Sequence, residues 1–596
     1  MQMKDRNVLL TAINAKYIHS NLAVYSLKAN AGPYAGRVGI AEYTINHRRE
    51  EILQGIYDHS PAVVGFSCYI WNIGYVLDVA ADLRSILPDT VIVLGGPEVS
   101  YDAPSVLQQN PFVDIVMVGE GEETFREFLE CYFDQDSGME QYSRIPGLCL
   151  REGKSGREGA AGGVYYTTPR QALSMDQLVF PYTDVKDLEN RILYYETVRG
   201  CPFSCSYCLS SIEKGVRRRS LPLVFEELQF FLTNRVKQVK FVDRTFNCHH
   251  EHAYRIWQYI GEHDNGTTNF HFEIAGDLLR EEDFELFRTF RPGLVQFEIG
   301  VQSTNPDTIQ AIRRQMDIQK LEDNLSMVRE NHNIHQHLDL IAGLPHEDLA
   351  SFCQSFRDVY AMEPDQLQLG FLKILKGSYM QEMAEEYGIR YGNRPPYEVL
   401  STRWMSYDDI RILKRVEEMV EIYYNSFQFQ ATMKLLELCH SDAFSMFESL
   451  GNYYEREGGF GRKHSRVARY EWLWQYSREY FAEREEQFRQ TLTFDLYLRE
   501  YVKSPPAFVR KRENEYVRFV RAFLDRETEN PEILGGYEGY AAKQLFHMVY
   551  VDEFTLDLKG LFEEKQVWQT APFSLVFDYK HRNPLNHSAK VTVLRR

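Results

Sequence analysis

The sequence is poor in cysteine, in long apolar runs and in net positive charge. Nine cysteines among 596 residues are too few for a disulfide framework, so we expect a reducing, cytoplasmic location. No apolar run approaches the roughly 18 to 20 residues of a membrane span, and the N-terminus lacks a signal-peptide pattern. A net charge of −18 disfavours a surface built to hold nucleic acid. These absences exclude disulfide scaffolds and membrane-spanning proteins and make a nucleic-acid binder unlikely.

What is present is enough chain for several hydrophobic cores. A length of 596 residues corresponds to about three to five domains at the usual domain size. Residues 1–145 alternate short apolar runs with amphipathic stretches, which predicts a doubly wound α/β domain of flavodoxin or Rossmann type. Such folds bind ligands where loops leave the carboxyl ends of the strands. Three loops have that position, at Asn14–Asn21, Gly95–Glu98 and Gly119–Glu122.

The rest of the chain divides into three further segments. Residues 146–190 contain a Gly-rich stretch at Glu152–Gly163 and are interpreted as a hairpin and linker. Residues 191–376 show six strand patterns alternating with helices, which predicts a complete or partial TIM-like βα barrel. Residues 377–596 are predicted to be mainly helical. Their aromatic-rich stretch Arg469–Phe481 has no single apolar stripe, so we expect it to be buried between domains.

Three of the nine cysteines form a cluster, Cys201-x3-Cys205-x2-Cys208. Chance would produce this spacing roughly 0.002 times in such a chain. Thiolates bind zinc or iron–sulfur clusters, and both usually take four ligands. One interpretation is structural zinc with a distant fourth ligand, Cys248, His249 or His250. The other is a [4Fe–4S] cluster with one iron open to a small molecule, an enzymatic arrangement.

The cysteine motif, with Tyr207 before its last cysteine, resembles the signature of radical S-adenosylmethionine (SAM) enzymes. The preceding α/β domain, with its Gly95–Glu98 and Gly119–Glu122 turns, resembles the domain of their cobalamin-dependent subgroup. The resemblance implies that SAM chelates the open iron and is cleaved to a 5′-deoxyadenosyl radical. It further implies SAM contacts from the motifs at residues 298–303 and 340–345, and from the cysteine loop, at Tyr207, Glu298, Gly300, Gln302, Ile341 and Gly343.

The same resemblance implies two other groups of residues. Cobalamin contacts would come from Asn14, His19, Ser67, Gly95, Gly96, Pro97, Glu98, Gly119 and Glu120. A cavity shared by the cofactors would be bordered by Asp243, Arg244 and Asn247. No D-x-H-x-x-G motif is present, so the lower axial ligand of cobalt is undetermined, with His19 as the nearby imidazole. A degenerate domain that serves only as a lid is the alternative.

The resemblance implies methylation of an unactivated carbon in a small molecule or peptide, with electrons from a flavodoxin or ferredoxin. A non-methylating radical rearrangement or cyclisation is the first alternative, and a zinc-stabilised binding protein is an alternative of another class. The basic run at residues 214–219 is interpreted as a solvated or ion-pairing patch rather than an RNA site. Within it, Arg217–Arg219 are candidates to face the carboxylate of SAM.

Overall fold

The computed structural model describes residues 7–134, 139–151, 163–212, 215–556, 558, 572–583 and 587–594. Two parallel sheets, one after the other in the chain, organise the first two thirds of the molecule, and a mainly helical region follows. The sheets and their connecting loops position every candidate site residue.

The N-terminal sheet has seven strands in the order β2-β1-β3-β4-β5-β6-β7. Its strands are β1 (Val8–Asn14), β2 (Val38–Thr44), β3 (Val63–Ser67), β4 (Val91–Gly95), β5 (Ile115–Met117), β6 (Leu148–Arg151) and β7 (Val164–Tyr166). The helices are α1 (Leu22–Ala29), α2 (Arg49–His59), α3 (Ile73–Ile86), α4 (Pro97–Ser100), α5 (Ala103–Gln109), α6 (Glu122–Asp134) and α7 (Met139–Tyr142).

Alternate side chains of the parallel strands β1–β5 face two separate cores. Leu9 and Phe66 pack on the α2–α3 side, whereas Leu10 and Val93 pack on the α1–α6 side. This period of two places helices on both faces, as predicted for a doubly wound fold. The hairpin β6–β7 pairs antiparallel with β5, so it extends this sheet and is not free between domains. Most of its predicted loop, residues 152–162, lies outside the described residues.

The second sheet is a six-stranded parallel array in the order β15-β14-β13-β12-β11-β8. Its strands are β8 (Leu193–Tyr195), β11 (Gln238–Phe241), β12 (Asn269–Ile274), β13 (Val295–Gln302), β14 (His335–Ala342) and β15 (Gln366–Phe371), with β9 (Val198–Arg199) and β10 (Arg217–Arg218) forming a separate pair. Its helices are α8 (Leu221–Thr233), α9 (His250–Glu262), α10 (Glu281–Phe287), α11 (Pro306–Ala311), α12 (Ile318–Arg329) and α13 (Leu349–Ala361). Because β8 and β15 are the two ends of this order, the barrel is partial.

The C-terminal region is mainly helical, as predicted, and its main core is continuous with that of the barrel. Its helices are α14 (Tyr379–Met383), α15 (Tyr407–Met419), α16 (Gln430–Glu437), α17 (Ala443–Arg456), α18 (Arg466–Tyr480), α19 (Glu485–Arg499), α20 (Asn514–Glu529) and α21 (Ala542–Met548). Its strands are the pair β16 (Arg390–Tyr391) and β17 (Val399–Ser401) and a sheet of β18 (Val549–Phe554), β19 (Phe573–Arg582) and β20 (Ala589–Leu594).

Two features of this region differ from expectation. The antiparallel sheet β18–β20 interrupts a segment in which no strand was predicted. The aromatic helix α18 is not buried between domains. Its Tyr470 and Trp472 rings contact Phe429 and Tyr454 of the same C-terminal region, so α18 completes the local helical core.

Candidate functional site

The three clustered cysteines lie in one loop whose base is closed by the short pair β9–β10. Cys205 is buried, and Cys201 and Cys208 are half-buried. Gly200, with φ +90°, starts the loop, and a Cβ there would lie 2.1 Å from the Gly215 carbonyl oxygen. Only glycine therefore allows the two ends of the loop to approach this closely.

The cysteine loop is held from three sides. The Ser206 amide donates to the Ile312 carbonyl at 2.9 Å, and the Met380 amide donates to the Ser206 carbonyl at 2.8 Å. The Sγ of Cys201 lies 3.5 Å from Oγ1 of Thr245, in the loop after β11. All three sulfurs are free of disulfides, so they are available as metal ligands.

The predicted additional zinc ligands have other partners. Nδ1 of His249 accepts from the His252 amide at the start of α9, and His250 Nε2 lies 3.0 Å from Asp283. Burial raises the pKa of the Cys248 thiol to about 11, and the neighbouring Cys201 adds to this.

Arg314 adjoins the cysteine loop and was not singled out from the sequence. Its guanidinium donates to the Gly300 carbonyl and, at 3.3 Å, to the Tyr207 hydroxyl. Burial raises the pKa of the Cys205 thiol, and the charge of Arg314 opposes that shift. Its buried Nε has no hydrogen-bond partner. The arginine lies between two helices in a polar stretch, where no sequence pattern marks it.

A bulge at the end of β13 brings Gly300 and Gln302 to the barrel mouth. Gln302 has φ +73°, and a Cβ on Gly300 would lie 2.1 Å from its Nε2. The buried Oε1 of Gln302 has no partner. An unpaired acceptor here and an unpaired donor on Arg314 fit a polar ligand such as SAM. Nearby, half-buried Ile341 is the last residue but one of β14, and Gly343, with φ +85°, follows the strand.

Glu298, predicted to contact SAM, takes part in an ionic network with side chains of neighbouring strands. Glu298 accepts from Lys240 Nζ and His271 Nε2, each at 2.8 Å. Burial would raise the pKa of Glu298, but these two partners hold it well below its ordinary value. His337 and Asp339 lie 3.1 Å apart beside it. The Lys240 ammonium supplies a positive charge beside Glu298.

An apolar slot with a cavity volume of about 70 Å³ lies on the α1–α6 side of the N-terminal sheet. It is lined by residues of both helices and by small residues near the strand ends, including Gly65, Ser67, Gly95 and Gly96. Gly96 has φ +118°, and a Cβ there would lie 2.5 Å from the Cys68 carbonyl oxygen. The apolar lining of the slot suits the base of the cobalamin nucleotide tail.

Other predicted cobalamin residues surround the slot without lining it. Asn14 donates to the His19 carbonyl and to Glu42, each at 3.0 Å. His19 Nδ1 lies 2.7 Å from the Tyr194 hydroxyl. Pro97 begins α4, and Gly119, with φ +77°, follows β5. None of these four is among the slot-lining residues.

Two glutamates predicted to contact cobalamin, Glu98 and Glu120, instead bind side chains of later segments of the chain. Glu98 accepts from the Tyr397 hydroxyl at 2.6 Å and pairs with Lys376. Glu120 pairs with Arg199 and Arg217. Both therefore fasten the N-terminal sheet to later segments of the chain.

Asp243 and Asn247, two of the residues predicted to border a shared cavity, are buried and fully engaged. Asp243 accepts from the Thr197 and Val198 amides at 2.8 and 3.0 Å, and burial raises its pKa to about 7. Asn247 exchanges hydrogen bonds with the Ala275 backbone. Arg244 is exposed, which leaves it as the one of the three able to face a ligand.

Two arginines of the basic run bind other residues of the protein. Lys214, in the same run, lies outside the described residues. Arg217 binds Glu120 and the Leu173 carbonyl. Arg219 binds Glu227 and the Leu178 carbonyl. The ion-pairing interpretation therefore holds for these two, and Arg314 is the arginine beside the cysteine loop.

Residues 244–245 lie near both the slot and the cysteine loop. Tyr69 lines the slot, and burial raises the pKa of its phenol to about 12, opposed by the nearby charge of Arg244. The next residue, Thr245, contacts Cys201. One short loop therefore adjoins both candidate cofactor sites.

Among the described residues, no helix has the length and apolar character of a membrane span.

Comparison with known proteins gives three family matches. Residues 8–129 match the B12 binding domain, residues 195–359 match the radical SAM superfamily, and residues 385–577 match a protein family of unknown function, DUF4080. The first two identify cobalamin, SAM and a [4Fe–4S] cluster as the cofactors. The third gives no activity for the C-terminal region.

Individual relatives agree with these matches. The chain is 27% identical over 361 residues to the cobalamin-dependent radical SAM methyltransferase TokK of Streptomyces tokunonensis, covering 57% of this chain and 51% of TokK. It spans about half the length of the curated relatives it matches.

Solved structures share the fold. The radical SAM methyltransferase TsrM of Kitasatospora setae, with cobalamin and a [4Fe–4S] cluster bound, aligns with a TM-score of 0.53 at 17% identity, over 66% of this chain and 78% of TsrM. The cobalamin-dependent radical enzyme OxsB aligns with 0.54 at 12% identity, over 94% of this chain and 79% of OxsB. The chain thus carries a B12 binding domain followed by a radical SAM domain and is a homologue of the cobalamin-dependent radical SAM enzymes.

Proposed function

We propose that this protein is a cobalamin-dependent radical SAM methyltransferase that methylates an unactivated carbon of a small molecule or peptide. The observation that carries the proposal is the shared loop at residues 244–245, which adjoins the slot through Arg244 and Tyr69 and the cysteine loop through Thr245 and Cys201. The methyltransferase relative TokK supports the reaction class. Because β6–β7 pairs with β5, we extend the N-terminal unit, predicted as residues 1–145, to residue 166, and assign the other units to residues 191–376 and 377–596, with 167–190 as the linker.

When bound, SAM and the cluster supply a 5′-deoxyadenosyl radical, and cobalamin supplies the methyl group. Cys201, Cys205 and Cys208 would ligate the cluster. Gln302 Oε1 would accept from the SAM amino group or ribose, and Arg314 would attract its carboxylate. Glu298 stays ionised through Lys240 and His271. The proposed SAM site is lined by Tyr207, Gly300, Gln302, Arg314, Ile341 and Gly343.

The remaining assignments follow from this chemistry. An open iron is sensitive to oxygen, so the protein works in the reducing cytoplasm with an electron donor such as flavodoxin or ferredoxin. Ser67, Gly95 and Gly96 would border the cobalamin tail, and the exposed Arg244 is our candidate for a substrate contact.

The test separates methylation from the alternative radical rearrangement or cyclisation without needing the substrate. The anaerobically reconstituted protein is incubated with hydroxocobalamin, a reductant and SAM carrying a trideuterated methyl group, and cobalamin is recovered for mass spectrometry. A methyltransferase transfers the label to cobalamin. Cobalamin that stays unlabelled, although 5′-deoxyadenosine forms, would indicate the non-methylating alternative.

A further inference from the structure

An ion cluster joins the β5–α6 turn of the N-terminal sheet to both ends of the cysteine loop. The Arg199 guanidinium forms ion pairs with three carboxylates, those of Glu122 at 2.5 Å, Glu196 at 3.0 Å and Glu120 at 3.3 Å. Glu120 also binds Arg217. Arg199 precedes Cys201 by two residues, and Arg217 pairs with Arg199 across β9–β10. The turn therefore holds the base of the cysteine loop; we call these five residues the clamp.

The clamp is mostly buried, and ion pairs hold its side chains in place. The Arg199 and Glu122 side chains are 15% and 8% exposed. The three carboxylates raise the pKa of Arg199 despite burial, and Arg199 lowers the pKa of Glu122 despite burial. Low exposure reduces screening by solvent, and a guanidinium fork fixes direction as well as distance. A displacement of Glu122 is therefore passed to Arg199.

Glu122 is also attached to the walls of the apolar slot. It begins α6, whose Phe125 lines the slot, and it accepts from the Ser26 hydroxyl at 3.1 Å. Ser26 lies on α1 between slot-lining Val24 and Leu27. One carboxylate thus touches both helical walls of the slot and the arginine that leads into the cysteine loop.

We propose that the clamp couples occupancy of the slot by cobalamin to the geometry of the [4Fe–4S] cluster, with Glu122 and Arg199 as positioning residues. The inference deepens the proposed function and rests on it. A tail entering between α1 and α6 bears on both walls, and Glu122 transmits that change to Cys201 through Arg199. Neither residue touches the reacting atoms.

The experiment measures the electron paramagnetic resonance (EPR) spectrum of the cluster held reduced by excess dithionite, with SAM present, before and after addition of cob(II)alamin, whose own spectrum is subtracted. The same samples give the rate of 5′-deoxyadenosine formation without substrate. The variants are Glu122→Gln, which keeps shape but removes charge, and Arg199→Lys, which keeps charge but removes the fork. The matched control is Arg191→Gln, which breaks the interdomain pair with Glu42, 13% and 7% exposed, away from the cysteine loop.

In the natural protein we expect cobalamin to shift the EPR spectrum and to change the rate of SAM cleavage at least about twofold. Both clamp variants should bind iron and cobalamin normally but lose this response, and Arg191→Gln should keep it. No response in the natural protein, an unchanged response in Glu122→Gln, or an equal loss in Arg191→Gln would each overturn the coupling. Absence of iron or cobalamin from the natural protein would instead refute the proposed function.

Discussion

The Tyr194 hydroxyl lies 2.7 Å from Nδ1 of His19, which joins the first barrel strand to the β1–α1 loop. The same loop is attached by its backbone, because the Ile192 amide donates to the Ile18 carbonyl at 2.7 Å. Burial and the charges of Lys16 and Lys240 lower the pKa of His19. His19 thus belongs to the contact between the two sheets and does not line the slot.

This placement predicts that His19 is not a cobalt ligand. The EPR spectrum of cob(II)alamin in the natural protein should lack splitting by an axial nitrogen, and His19→Ala should leave that spectrum unchanged. Nitrogen splitting that disappears in His19→Ala would show that the imidazole binds cobalt.

The slot predicts a steric effect on cobalamin binding. Gly95 lines the slot and has ordinary van der Waals space above it, with Met117 Cβ 3.7 Å from an added Cβ. In Gly95→Leu the side chain should occupy the slot and weaken cobalamin binding at least about tenfold, measured by equilibrium dialysis, with iron content unchanged. Gly74→Leu, at an exposed position in α3 with open space, is the control and should bind normally.

The position of Arg314 predicts that the KM for SAM depends on the positive charge of this residue. Loss of charge-assisted hydrogen bonds costs about 1.5–3 kcal/mol, so Arg314→Gln should raise the KM for SAM by about 10- to 100-fold. Arg314→Lys should recover part of the loss because it keeps the charge. An unchanged KM in Arg314→Gln, measured as 5′-deoxyadenosine formation, would limit Arg314 to supporting Tyr207 and Gly300.

The burial of Glu347 predicts that the folding stability of the protein depends on pH. It is fully buried, accepts from the Ser303 and Ser355 hydroxyls through Oε1, and has no partner for Oε2. Burial raises its pKa above the ordinary value to about 7. A carboxyl with a raised folded-state pKa favours folding when protonated, so its contribution is largest below about pH 4 and is lost as the pH rises to about 7.

Glu347→Gln keeps the Oε1 acceptor and cannot ionise. The apparent unfolding midpoint of this variant, relative to the natural protein, should therefore rise between pH 5 and pH 8. The exposed Glu382→Gln is the control and should show no such trend. A constant difference between Glu347→Gln and the natural protein over this range would mean that Glu347 stays charged in the folded state.

Residue patterns predicted the features that depend on local periodicity. The alternation of apolar residues in β1–β5 and the cysteine spacing are local properties, so both parallel sheets and the loop at Cys201–Cys208 could be predicted. Arg314 could not, because its role depends on contacts with Tyr207 and Gly300 that are distant in sequence. The partners of Glu98 and Glu120 are likewise long-range, so these carboxylates resembled ligand contacts although the structure pairs them with Lys376 and Arg217.

The most direct test of the central claim is the metal content of the anaerobically purified and reconstituted protein. The proposed cofactors predict about four irons and about one cobalt per chain, and a Cys205→Ala variant that loses iron while retaining cobalamin. About one zinc per chain, with neither iron nor cobalt bound under these conditions, would contradict the account and support a zinc-stabilised binding protein.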